Sequence, residues 1–262
     1  MNSSLRTSAS GMAAQQRMID VIANNLANVN TTGFKRSRMS FEDVLYETLQ
    51  GPRSATAQGA ESVGPVQIGK GVRIGAVLRL HGQGAPETTQ RPLDVAIEGD
   101  GFFQVRRPDG TTAYTRDGSF TLSESGMLVA NGGHAVLPSI TVPGDATSIT
   151  IAPDGTVSAI AAGSQSPVEL GRIELARFVN SSGLLSIGEN QYAETPAAGQ
   201  PMTGSPQEDG FGRVLQGALE TSNVEIVQEM TDMIAAQRAY EITAQAITAC
   251  DEMAKAASGL VR

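Results

Sequence analysis

The residues of this 262-residue chain whose types could do chemistry are two histidines, one cysteine and a series of Asp-Gly pairs. His81 and His134 stand apart from any Cys, His or acid pattern suited to a metal, and no Gly-x-Ser-x-Gly elbow offers a nucleophile for either to activate. Gly99-Asp100-Gly101 is too short for the Gly-rich fingerprint that cradles a phosphate. It also runs into a strand pattern instead of a helix, so it reads as a turn. The Asp-Gly pairs at 109–110, 117–118 and 154–155 lack the regular carboxylate spacing of a calcium loop. Cys250 is alone, closes no internal disulfide and assigns no redox compartment; on a helix beside an apolar seam it reads as a small buried apolar residue. The expectation is a protein with no catalytic residue, no metal and no cofactor, which is not an enzyme.

Function must then reside in the elements and in what they touch. No run approaches 18 consecutive apolar residues, so no membrane insertion is expected. A net charge of −8 argues against nucleic acid, because binding phosphates needs a basic face, and the short cluster Lys35, Arg36 and Arg38 does not supply one. The 29 glycines and 12 prolines point to turns and β-structure in the middle of the chain. Ser3 to Asp20 is a polar amphipathic run without the charged region, apolar core and small-residue site of a cleaved secretory signal. Passage out of the cytoplasm is expected to take another route.

The two termini carry matched apolar seams. Ile226, Met230, Met233, Gln237, Tyr240, Ala244 and Ile247, with Ile234 beside them, recur at steps of four and three, and no Pro or Gly intervenes before Gly259. Leu5, Ser8, Met12, Gln15, Ile19, Ile22, Leu26 and Val29 follow the same alternation at the other end. A helix of about 35 residues is on the order of 50 Å long, further than a domain of this size covers with its own core. Residues 1–38 carry a net charge of plus four and residues 217–262 one of minus four, which favours docking one on the other. The seams are therefore expected to pair and to be buried fully only in an assembly. Asn24, Asn25, Asn28 and Asn30 crowd the end of the first helix, expected near Asn30 with Gly33 as its left-handed stop. Their amides either face water and end the helix or, at Asn24 and Asn28, bond to a neighbouring chain.

The fold class expected is α+β: paired long terminal helices, coiled-coil-like and assembled in a tube, around a central all-β domain of short antiparallel strands. Residues 1–33 and 223–262 form the terminal helical assembly domain and 34–70 a connecting arm. Residues 71–205 form the β-rich outer domain and 206–222 a return linker. Met39, Phe41, Val44, Leu45 and Leu49 read as a short helix or an extended arm, and Gly51 to Gly64, poor in large apolar residues, as a linker or interaction loop. Pro108-Asp109-Gly110-Thr111 and Pro153-Asp154-Gly155-Thr156 repeat one turn signature, and Asp117-Gly118 reads as a third turn.

These motifs carry a resemblance. Ile22 to Lys35, with the run Asn24-Asn25-Leu26-Ala27-Asn28-Val29-Asn30-Thr31-Thr32-Gly33-Phe34, resembles the N-terminal signature of the bacterial flagellar basal-body rod and hook family. Asn223-Val224-Glu225 and Met233 to Glu241 are similar to its C-terminal signature, and Leu93 to Phe103 and Tyr114 to Phe120 to its shared β-region. Within the family the distal-rod branch fits best, with Tyr46 to Pro65 resembling the segment tied to a straight, stiff tube. A proximal rod or hook-type paralogue is the alternative. The resemblance implies a structural subunit exported by the flagellar type III apparatus without a cleaved signal. It implies polymerisation into a hollow straight helical tube that transmits motor torque across the periplasm to the hook. It implies, as partners, further copies in that tube, proximal rod and hook proteins, and the peptidoglycan-layer and outer-membrane rings. From other classes, a cell-wall hydrolase would need a carboxylate pair in 71–205, where none stands out, and a membrane-surface helix would need more basic residues than this one has.

Overall fold

The computed structural model describes residues 2–50, 65–163 and 166–259. The chain divides into two units, one of Met1–Leu26, Ser37–Leu78 and Ile226–Arg262, the other of Ala27–Arg36 and Arg79–Glu225.

In the first unit helix α1 spans Asn2–Ala27 and helix α2 spans Ile226–Gly259. Strand β1 (Ser37–Asp43) pairs with β4 (Val72–Arg79), and β2 (Tyr46–Gln50) pairs antiparallel with β3 (Val66–Gly69), Tyr46 facing Gly69. α1 stops three residues short of Asn30. Asn28 takes over the backbone there: its carbonyl accepts from the Thr31 amide at 3.2 Å and its Oδ1 from Thr31 Oγ1 at 3.2 Å. Asn25 and Gly11 mark where the helices approach: Asn25 Nδ2 donates to Glu229 Oε2 at 3.1 Å, and a Cβ added to Gly11 would lie 3.5 Å from Thr243 Cγ2. Between these contacts α1 runs back by as many residues as α2 runs forward, so the helices are antiparallel and in step over roughly 20 Å.

The second unit is built on the antiparallel pair β7 (Phe102–Arg106) and β8 (Thr112–Thr115), preceded by β5 (Pro86–Thr88) and β6 (Val95–Glu98). Strand Ala135–Leu137 extends β7 on one side together with Leu175–Arg177, and Gln191–Ala193 extends β8. Alternation along β7 explains its two cores. Phe103 and Val105 join Val95, Ile97, Phe120, Ile140, Ile173 and Leu175 on one face, while Phe102 joins Tyr114, Phe178 and Tyr192 on the other. Rings meet edge-to-face in both, Phe103 with Phe120 at 5.0 Å and Tyr114 with Phe178 at 4.7 Å. The repeated turn signature is physical: Asp109 Oδ1 accepts from the Thr111 amide and hydroxyl, Asp154 accepts likewise from Thr156, and Gly110 and Gly155 hold φ of +83° and +86°.

Several boundaries differ from the sequence expectation. Residues 206–222 are not a bare linker: Arg213–Gln216 pairs with β6 and Ala218–Glu220 with β5, because Val214, Ala218 and Glu220 face inward between glycines. Of the two readings for the Met39 to Leu49 pattern the extended one holds, as β1 and β2, while β4 groups with the helices instead of the β unit. Asp117-Gly118 is no hairpin turn, since Gly118 lies against β6, where a Cβ would meet the Val95 carbonyl oxygen. Gly51 to Gly64 lies outside the described residues.

Candidate functional site

The Asn-rich stretch does structural work residue by residue. Asn25, 1% exposed, saturates its amide: Oδ1 accepts from the Ser37 amide at 2.8 Å, while Nδ2 donates to the Ser37 carbonyl at 2.9 Å and to Glu229. One side chain thus joins α1, the start of β1 and the first turn of α2. Asn24 and Asn30 are exposed, Asn28 and Thr31 half-buried. Gly33 is held at φ +66°, where a Cβ would lie 2.7 Å from the Asp117 amide nitrogen; Thr32 Oγ1 donates to Asp117 Oδ1 at 3.1 Å. Phe34 is buried, with the Arg79 guanidinium 5.5 Å from its ring centroid.

Next to Phe34, Lys35 is fully buried in the β unit. Its Nζ donates to Glu220 Oε1 and to the Gly82 carbonyl at 2.7 Å. Glu220 also accepts from the Gly84 amide at 2.8 Å and from Arg116 at 3.3 Å, and Arg116 donates on to the Gly99 carbonyl at 2.9 Å. Burial pushes the Lys35 pKa down, with the Glu220 carboxylate opposing that shift. Backbone bonds run alongside: the Gly33 amide donates to the Glu220 carbonyl at 2.8 Å, the Arg36 amide to Asn223 Oδ1 at 2.7 Å, and Asn223 Nδ2 to the Leu80 and Gly82 carbonyls. The segment that enters the β unit is thereby stapled to the one that leaves it.

Neither histidine has catalytic company. His81 packs edge-on against Phe102 and Tyr192, and neither ring nitrogen has a hydrogen-bond partner among the described residues. Burial, with Lys35, Arg116 and Arg79 adding to it, drops its pKa to about 4. His134 Nε2 lies 3.0 Å from Glu189 Oε2, an acid without a nucleophile. Among the described residues no three His, Cys, Asp or Glu side chains converge as metal ligands. Cys250 is half-buried and free.

Comparison with known proteins decides what this arrangement belongs to. Three family models match: "Flagella basal body rod protein" over residues 5–35, "Flagellar hook protein FlgE/F/G D1 domain" over 96–159, and "Flagellar basal body rod FlgEFG protein C-terminal" over 215–260. The chain is 48% identical to the flagellar basal-body rod protein FlgG of Borreliella burgdorferi, with all of both chains covered. It is 46% identical to FlgG of Caulobacter vibrioides over 98% of each chain. The chain belongs to the flagellar basal-body rod family. The FlgF rod protein of the same Caulobacter strain is 36% identical over 98% of this chain and 97% of its own, so the likeness to FlgG exceeds that to its paralogue.

Both rod-family terminal matches include half of the staple: Lys35 closes the first, and Glu220, Asn223 and Glu229 fall in the second. The rod-family helices are the sparsely covered part of the chain. In the first unit, among the described residues, only Ala14, Ile22 and Ala236 are buried apolar residues, while Leu45, Leu49, Ile68, Val77, Ile226, Val227, Met230, Ile234 and Ile242 are exposed. Of the expected seams, Leu5, Met12, Ile19, Leu26 and Val29 are half-buried with Ile22 buried; Met233 and Ile247 are half-buried; Ile226, Met230, Ile234, Gln237 and Tyr240 are exposed. Sequence reasoning missed Lys35, Arg116 and Glu220. The available signal was period two: Ala218 and Glu220 alternate inward on a strand, which places a carboxylate in a core that must then hold a cation.

Proposed function

We propose that this chain is the structural subunit of the flagellar distal rod, polymerising through its terminal-helix unit into a hollow, straight helical tube with the β unit as outer wall. The reading is supported by one observation above the rest: among the described residues the helical unit buries three small or medium apolar residues and leaves a large apolar surface exposed, whereas the β unit buries its own core. Ile226, Val227, Met230 and Ile234 alone are 47%, 79%, 52% and 57% exposed. At ~1.5 to 3 kcal/mol for full burial of each, covering what remains exposed contributes roughly 3.5 to 7 kcal/mol per subunit, available only from another surface. The relatives are named as basal-body rod proteins, a structural and non-enzymatic role, and no described helix is long and apolar enough to cross a membrane.

In this reading the tube carries motor torque across the periplasm to the hook, joins proximal rod and hook proteins at its two ends, and turns within the peptidoglycan-layer and outer-membrane rings. The subunit travels through the flagellar type III export apparatus, for which an uncovered helical unit that folds on assembly is suited. The test is complementation of a strain lacking the subunit. Ile234→Asp and Leu26→Asp leave the β unit folded and abolish rods and motility, while Glu169→Lys, on an exposed strand, swims normally. Equal motility in all three strains refutes the assignment.

A further inference from the structure

The helical unit carries an apolar groove and an exposed apolar stripe that cannot meet within a single chain. The groove, about 330 Å³, lies between α1 and the β1–β4 pair, with walls from Val21, Met39, Ile74 and Val77 and with Arg17 and Asp20 at its mouth. The stripe is the exposed set Val227, Met230 and Ile234 with Ile226 beside it, spaced at i, i+3 and i+7 as in helices that seat in apolar grooves.

Their positions on the helices follow from ~100° per residue. On α1, the side turned to α2 carries Gly11, Ala14, Ile22 and Asn25, and Arg17, Val21 and Asn24 lie roughly 90° round from it, against the helix winding. On α2, the side turned to α1 carries Glu229, Ala236 and Thr243, and the stripe lies roughly 150° round, with the winding. In an antiparallel pair, offsets of opposite sense put groove and stripe on opposite sides of the pair, with the stripe turned largely away from α1. They also share a level: the contacts Asn25–Glu229 and Gly11–Thr243 set residues 230–234 beside residues 20–24.

We infer that the groove of one copy receives the Ile226–Ile234 stripe of the next. A surface on one face that fits a different surface on the other is a heterologous contact, which does not close on a dyad and extends into a polymer. Charge favours the same pairing: helix α2 carries five acids against two bases and α1 two bases against one acid, so stripe against stripe would oppose two acidic helices, which stripe against groove avoids. The inference rests on the assembly reading above and specifies its contact.

The test is site-directed cross-linking in polymers of the full-length chain with the native thiol removed (Cys250→Ser). Val77→Cys in the groove and Met230→Cys in the stripe are both exposed positions, so neither variant threatens folding. The double variant treated with a short bismaleimide gives a ladder of covalent dimers, trimers and higher species, and neither single variant does. Polymers that form without the ladder overturn the groove-and-stripe contact but leave assembly standing, as would a cross-link to the groove from Leu49→Cys of the β2–β3 hairpin instead. Dimers from Met230→Cys alone show stripe meeting stripe and also overturn it. Failure of the Cys250→Ser parent and the unmodified chain to polymerise under any condition removes the assembly reading itself.

Discussion

Removing the ammonium of Lys35 probes the staple that ties the two ends of the β unit. In Lys35→Met the stem is replaced by one of similar bulk while Glu220 stays buried, keeping the Gly84 amide and Arg116 as partners. Breaking a buried ion pair typically costs ~3 to 5 kcal/mol, and the remaining Arg116 contact puts this variant near the lower end, about 3 kcal/mol. For a unit of this size ~1 kcal/mol corresponds to about 2 to 4 °C, so the melting temperature falls by roughly 6 to 12 °C. Glu220→Leu costs more, because it leaves both Lys35 and Arg116 buried without a counter-charge, and of the two only Lys35 can shed its proton. The double variant Lys35→Met/Glu220→Leu is then more stable than Glu220→Leu alone. The assay is urea unfolding of the full-length monomer followed by near-ultraviolet circular dichroism of its tyrosines, since the chain has no Trp and Tyr114 and Tyr192 lie in the core. A loss below about 1 kcal/mol for Lys35→Met, or simple additivity in the double variant, refutes the reasoning.

Three further outcomes are expected. The pKa of His81 is lowered to about 4 in the folded chain. The unfolded chain therefore takes up a proton that the folded one refuses as pH drops below ~6.5, and stability falls between there and pH 4 by up to about 3 kcal/mol. His81→Phe flattens that part of the stability–pH curve, and an unchanged slope contradicts the assignment. Gly33→Ala forces a Cβ into a left-handed residue against the backbone at Asp117 and costs about 2 kcal/mol in the same unfolding assay; a neutral effect would mean that this turn is not pinned. Deleting residues 51–64 alters the stiffness or curvature of the rod seen by electron microscopy while leaving polymerisation intact, and unchanged geometry would remove the role given to that segment.

The long helices were legible because a three-four alternation without Pro or Gly admits little else, and the Asp-Gly-Thr turns because each repeats its own side-chain bonds. Which side of α2 turns to α1 was not legible. The alternation from Ile226 through Met230 counts the largest side chains, whereas the residues found at the helix contact are Glu229, Ala236 and Thr243, small or polar; Met233 and Ile247 are half-buried, while Ile226, Met230 and Ile234 are exposed. A count of hydrophobic residues cannot separate a seam used within the chain from one saved for a neighbour. Lys35 and Glu220 escaped for a related reason: nearly two hundred residues separate them, and a charged residue reads as surface until the strand that carries it is placed. The strands of residues 213–220 were hidden among glycines that suggested a linker.

The central claim is that α1 and α2 are covered only when copies assemble. Amide hydrogen exchange across residues 2–27 and 226–259, compared between monomer and polymer, tests it most directly. Rapid exchange in the monomer, with protection gained on both helices and most at residues 17–24 and 226–234 in the polymer, is the predicted result. Strong protection of both helices in a proven monomer, unchanged on polymerisation, would contradict it.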